Sequence, residues 1–190
     1  MRSCARQRPS AWSGPGLRGR GRRAAERADY CCGGGEGVRL SGIVAATVLP
    51  MRDDGSIDEP ALRRYVGWLL EQGVHGLAVN VDTGEGPHLY PEERTRVVEV
   101  VRQEVRGRVP IVAGLPASFT QQAAAWAREA GRAGADAVLV FPHPAFRGRP
   151  LPPGIPVRYH RAVAAAAGVP LVVFQLQDAL GGVEYPPEVL

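Results

Sequence analysis

The run Gly42-Ile43-Val44-Ala45-Ala46-Thr47-Val48-Leu49 is apolar almost without interruption. That pattern predicts a strand buried on both faces, as in a parallel sheet covered by helices. A turn follows at Arg52-Asp53-Asp54-Gly55-Ser56, and Asp58 stands where a helix N-cap belongs. Leu62, Tyr65, Val66, Leu69 and Leu70 then recur at helical spacing, and Gly73 falls just past the last of them, as a C′ glycine does. Gly76-Leu77-Ala78-Val79-Asn80 predicts a second strand. Pro91-Glu92-Glu93-Arg94 opens a second helix, with proline and acids in the turn that favours them, and Val97, Val98, Val101 and Val105 form its apolar stripe.

Outward from this unit the pattern repeats. Pro110 to Leu115 predicts a strand, Thr120 to Ala133 a helix closed by Gly134, and Ala137 to Phe141 a fourth strand. A helix from about Pro156 to Ala167 and a fifth strand from Leu171 to Leu176 complete the series. Pro186-Pro187-Glu188-Val189-Leu190 has the form of the first turn of another helix. The strands begin roughly 27–34 residues apart, the repeat of a βα unit. Alternating strands and helices make the fold α/β, with about five parallel βα units. An open doubly wound sheet is the alternative arrangement of the same elements.

Composition divides the 190 residues in two. Residues 1–39 carry nine arginines against Glu26, Asp29 and Glu36, a charge of +6, whereas residues 40–190 sum to −2. The basic balance of +4 therefore belongs to the leading segment and does not point to nucleic acid as a partner of the body. Residues 1–37 are rich in Arg, Gly, Ser and Ala and hold no apolar face, which predicts a disordered tail ahead of a domain spanning 38–190. An arginine–glycine RNA-binding arm and a transit peptide are the functional readings of that tail, and upstream sequence without function is the bland one. No apolar h-region or membrane-length run is present, and three cysteines make no disulfide framework, so the cytoplasm is the default compartment. All 23 basic residues are arginine. Chemistry that rests on a lysine amine therefore has no residue to carry it within these 190 positions.

The residues around each strand resemble the dihydrodipicolinate synthase / N-acetylneuraminate lyase family. Gly42-Ile43-Val44-Ala45 with Leu49-Pro50-Met51 and Asp54-Gly55-Ser56-Ile57-Asp58 is similar to its first unit. Gly73-Val74-His75-Gly76-Leu77, Thr83-Gly84-Glu85 and Leu89-Tyr90-Pro91-Glu92-Glu93-Arg94 resemble its second. Val109-Pro110-Ile111-Val112-Ala113-Gly114 resembles the third, and Ala133-Gly134-Ala135-Asp136-Ala137-Val138-Leu139-Val140 the fourth.

The resemblance implies a partial TIM (β/α)8 barrel, a fold that takes about 250 residues when whole. It also implies a lyase or aldolase acting on pyruvate or another 2-oxo acid through a Schiff base. The family's Schiff-base lysine lies at the end of the sixth strand, so the resemblance marks this chain as a divergent, truncated member lacking that lysine. No catalytic residue, metal or cofactor is assigned to it. The implied partners are a small 2-oxo acid and, for a complete version, further copies of itself, with no membrane.

Where the family has two threonines before Gly-Glu, this chain has Asp82 and Thr83. Thr83 keeps the position that binds a substrate carboxylate. Asp82 replaces a member of the proton relay. It either takes acid–base work or caps the next turn. Phe174 stands at the tyrosine that shuttles protons and has no hydroxyl to do so. Ala179 stands where an arginine grips a second carboxylate, and Pro142-His143-Pro144-Ala145-Phe146 lacks the paired tyrosines. Synthase chemistry on aspartate semialdehyde is thereby disfavoured. A lyase of a sugar acid or aromatic 2-oxo compound fits better, with Phe141, Phe146 and Phe174 at an apolar pocket mouth.

His143 follows the fourth strand, at the end where barrel active sites form, and is kept as a substrate-binding candidate with Thr83 and Asp82. His75, His88 and His160 show no metal-ligand spacing. The glycines of Thr83-Gly84-Glu85-Gly86-Pro87 lack the Walker pattern, and those of residues 33–37 follow no strand. Trp68 and Trp126 are expected in the core, and Val79, Val112, Leu139 and Val173 or their neighbours along the barrel interior. A non-catalytic fragment or pseudoenzyme that acts by binding protein is the competing functional class.

Overall fold

A computed structural model describes residues 38–147, 151–175, 182–187 and 189. The tail predicted over residues 1–37 lies outside them, as does Ala179. The elements are β1 (Val44–Ala46), α1 (Glu59–Glu71), β2 (Gly76–Val79), α2 (Pro91–Val105), β3 (Ile111–Leu115), α3 (Thr120–Ala133), β4 (Ala137–Val140), α4 (Gly154–Ala167) and β5 (Leu171–Val173). Local chemistry sets their ends. The Asp58 carboxylate accepts from the Ala61 amide at 3.0 Å and caps α1. Gly134, at φ 102°, closes α3 in the left-handed conformation that a side chain would resist.

Every strand pairs in parallel with its neighbour in sequence, in the order β1-β2-β3-β4-β5. A doubly wound sheet reverses strand order at a switch point, and this sheet has none, which overturns the open-sheet alternative. Crossovers of one hand place every helix on one side, where α1 packs on α2, α2 on α3 and α3 on α4. Five units wound this way form an arc of a TIM barrel.

The two sheet faces differ. The helix side holds the main core, including Leu77, Val79, Ile111, Ala113, Leu115, Val138 and Val140. The other face carries a smaller cluster of Ala78, Val81, Val112 and Ala137, with Val44, Leu139 and Phe141 packed beside it. Val112 and Leu139 thus lie on the interior face as expected. Val79 and Val173 instead join the helix-side core. In a strand a one-residue error reverses the face.

Two further expectations fail. β1 is three residues long with none of them fully buried, and its flanking residues Ile43 and Val48 are 67% and 51% accessible, because the strand has one neighbour among the described residues and lies at the sheet edge. Trp68 is 53% exposed and stacks on Tyr65 across the outer surface of α1.

Ion pairs tie the units together. Arg96 on α2 grips both carboxylate oxygens of Glu59 on α1, at 2.6 and 2.8 Å. The Asp136 carboxylate accepts from the Ile111 amide at 2.8 Å and from Arg102 at 3.1 Å, joining α2, β3 and β4.

The edges carry the first prediction. Among the described residues β1 and β5 each have one side of backbone unpaired, which favours self-association. Analytical ultracentrifugation of the full chain should show mass rising with concentration, and urea unfolding should be broad. Ile43→Lys, which puts a charge on the edge, should suppress the association while changing stability by no more than about 0.5 kcal/mol. A monomer at every concentration, with one sharp unfolding transition, would contradict this.

Candidate functional site

In a parallel sheet all the strands deliver their C-terminal loops to one end. The first loop begins at Thr47, whose amide and hydroxyl both donate to the Ala78 carbonyl, at 2.9 and 3.2 Å. The second leaves β2 at Asn80, a non-glycine residue at φ 55°. Asparagine tolerates this left-handed backbone better than most residues do. Asn80 turns the chain into two short 3-10 turns, Asp82–Gly84 and Gly86–His88.

The Asn80 carbonyl lies so close to Gly86 and Gly114 that a Cβ on either would collide with it. Two glycines from different units therefore let the loop fold down onto β3. Thr83 closes the arrangement from above, its hydroxyl donating to the Thr47 carbonyl at 3.0 Å. The loops after β1 and β2 are thus one hydrogen-bonded body.

Asp82 and Thr83 are both exposed at this end. The next turn, Gly86–His88, which Asp82 was the candidate to cap, has no side-chain cap among the described residues. Opposite in the sheet, Phe141 and Phe174 meet edge to face with centroids 5.1 Å apart, an apolar wall beyond β4 and β5. Phe146 does not join them. It packs with the helix-side core against His143 and Tyr159, because the Pro144–Phe146 turn carries it under α4. His143 Nδ1 accepts from the Ala145 amide at 3.0 Å, capping that turn, and burial holds its pKa below the ordinary imidazole value.

Below this lies an aromatic chain that the sequence did not reveal. Tyr159 meets His160, and His160 meets Tyr185, each at 5.2 Å between centroids. His160 Nδ1 donates to the Pro156 carbonyl at 2.8 Å, one helical turn back. Its Nε2 is buried with no partner among the described residues, as are the hydroxyls of Tyr159 and Tyr185. Burial pushes both phenols up to about 12 and pulls His160 down. Among the described residues no group of acidic, histidine and cysteine side chains could hold a metal, and no helix is long and apolar enough to cross a membrane.

The sequence profile of the Dihydrodipicolinate synthetase family matches residues 39–190, every one of the five units. The chain belongs to this family. It is 43% identical over 140 residues to the 4-hydroxy-tetrahydrodipicolinate synthase of Methylobacterium radiotolerans, which covers 74% of this chain and 46% of the relative. The corresponding synthase of Acidiphilium cryptum is 39% identical over 135 residues. Among solved structures, dihydrodipicolinate synthase from Acinetobacter baumannii in complex with pyruvate superposes with a TM-score of 0.67 at 30% identity, over 73% of this chain and 46% of that one. A prophage family member from Escherichia coli K12, also in complex with pyruvate, gives 0.68 at 25% identity, over 75% and 46%. The chain spans about half the length of the relatives it matches.

The site carries a pH prediction. Protonating His160 would place an N–H at Nε2 where no described acceptor exists. The unfolded chain takes up that proton near pH 6.5, and the folded one only at lower pH. The stabilising contribution of neutral His160 is therefore complete above about pH 6.5 and is lost as pH falls below it. His143 acts in the same direction. Urea midpoints should drop on acidification from pH 7.5 to 5 (roughly one unit either side of that value). His160→Phe should flatten the drop, and an unchanged pH profile in that variant would contradict the assignment.

Proposed function

We propose that this chain forms the substrate-carboxylate side of a class I aldolase-type lyase that acts on pyruvate or a related 2-oxo acid. The observation that carries the proposal is the Thr83 hydroxyl, anchored 3.0 Å from the Thr47 carbonyl at the loop end of a family barrel arc. Pyruvate bound to two structural relatives supports the substrate class. With no lysine in the sequence, the Schiff-base amine has to come from outside these 190 residues.

Thr83, Asp82 and His143 are the proposed substrate-binding residues. The single hydroxyl proton of Thr83 rotates from Thr47 onto the carboxylate when substrate arrives. Phe174 moves no proton, which leaves Asp82 to hold or deliver it. Together with the Phe141–Phe174 wall this favours a 2-oxo acid with an apolar substituent over a second carboxylate. The cytoplasm is the working compartment, and a homo-oligomer is the form of a complete version. Absence of lysine also favours a second reading, a pseudoenzyme that acts by binding protein.

Co-expression with the C-terminal half of the Methylobacterium radiotolerans synthase separates the two. Pyruvate with borohydride should leave a reduced adduct on a lysine of the added half and none on this chain. Thr83→Val should weaken pyruvate capture about tenfold, the worth of one hydrogen bond to a charged group. A complex that assembles but traps no pyruvate would favour the pseudoenzyme. An adduct mapped to an internal residue of this chain would refute the lysine argument.

A further inference from the structure

Arg94 is a buried cation that the chemistry above does not use. It lies in the first turn of α2, 8% exposed, with its guanidinium carbon over the Trp126 ring of α3, 3.4 Å from the ring centre. Among the described residues it forms no ion pair. Glu129 is the nearby acid and does not reach it. Burying an unpaired charge costs several kcal/mol after relaxation, and an apolar side chain could fill the same space on Trp126. The charge needs a reason.

Its hydrogen bonds supply one. Arg94 Nη1 donates to the Gly86 carbonyl at 2.7 Å, at the end of the loop that follows β2. The Asn80 side-chain amide donates to the Arg94 carbonyl at 3.0 Å, from the start of the same loop. One residue thus grips both ends of the segment 80–86. Inside that clamp the Gly84 and Gly86 amides both donate to the Val81 carbonyl, at 2.9 and 3.1 Å, and Thr83 reaches Thr47. A small cleft beside the clamp is lined by Asn80, Arg94, Gly114, Trp126 and Glu129. The unpartnered Asn80 Oδ1 and Arg94 Nε belong to two of these residues.

We propose that Arg94 is a positioning residue for the 2-oxo acid site: from beneath, it fixes the 80–86 loop so that Thr83 meets the substrate carboxylate in a set geometry. The inference rests on the 2-oxo acid reading for its substrate. The mechanical part, a loop held by a guanidinium laid on an indole, stands on the geometry alone. Lysine cannot replace it, because an ammonium has no plane to lie on the ring while donating sideways to a carbonyl.

The test uses the full chain at sub-micromolar concentration, with hydrogen exchange followed by mass spectrometry on peptides covering residues 80–89 and 109–116. In Arg94→Lys the loop peptide should exchange about tenfold faster, while the β3 peptide is unchanged. Trp126→Leu keeps the guanidinium but removes its platform, and should give the same pattern to a smaller degree. Pyruvate should slow exchange of the 80–89 peptide in the parent chain, with roughly tenfold more needed in Arg94→Lys. Thr83→Val should need about tenfold more pyruvate for the same effect and, without the bond to Thr47, should itself quicken loop exchange.

Loop exchange unchanged in Arg94→Lys would overturn the proposal. So would equal acceleration of both peptides, which marks a residue that merely stabilises the fold. If Arg94→Lys fails to fold, Trp126→Leu decides on the same two peptides. A parent chain that ignores pyruvate would sink the 2-oxo acid reading, and loop exchange would still judge the clamp.

Discussion

Strand pairing with only the preceding and following strand is the constraint from which the other features follow. Parallel ladders formed in sequence order require each crossover to run the same way, so α1 to α4 share one side of the sheet. The helix side can then bury large branched residues such as Leu77, Ile111 and Val138. The opposite face carries a smaller cluster, Ala78, Val81, Val112 and Ala137. The same constraint brings the loops after β1, β2, β4 and β5 to one end, so Thr47, Asp82, Thr83, Phe141 and Phe174 all lie at that end of the sheet. It also leaves β1 and β5 as edges.

Within that frame the chemistry depends on backbone that few residues tolerate. Asn80 takes a left-handed turn, and Gly86 and Gly114 make room for its carbonyl. Arg94 and Thr83 then fasten the loop below and above. Substituting either glycine would push the Asn80 carbonyl, and with it Thr83, out of place. Thr83, the proposed carboxylate-binding residue, keeps this support. The groups that the resemblance assigns to proton transfer have changed to Asp82 and Phe174.

The elements themselves were legible because their signals are local. Asp58, Gly73 and Gly134 act within one turn of their helices, and α3 runs over Thr120–Ala133 as its pattern predicts. Family motifs located Thr83 and Phe174 in the same way. Properties set by distant partners were not legible. Nothing in Ile43–Leu49 distinguishes an edge strand from a central one, since both present apolar runs. Whether Val79 or its neighbour faces the interior was not legible, because a period of two fixes alternation but not its phase; Ala78 is the one that does. Trp68 sits among apolar helical neighbours yet points outward onto Tyr65. Arg94 looked like an ordinary first-turn residue, and only the approach of Trp126, 32 positions later, reveals it as buried.

Native-state amide exchange resolved strand by strand tests the consecutive order most directly, because protection follows a strand's place in the sheet. In this order β3 is the central strand, so Ile111–Leu115 should exchange slowest, with β2 and β4 next and the edges β1 and β5 fastest. A doubly wound sheet would place β1 inside. Val44–Ala46 exchanging as slowly as Ile111–Leu115 would contradict the barrel arc and the site built on it.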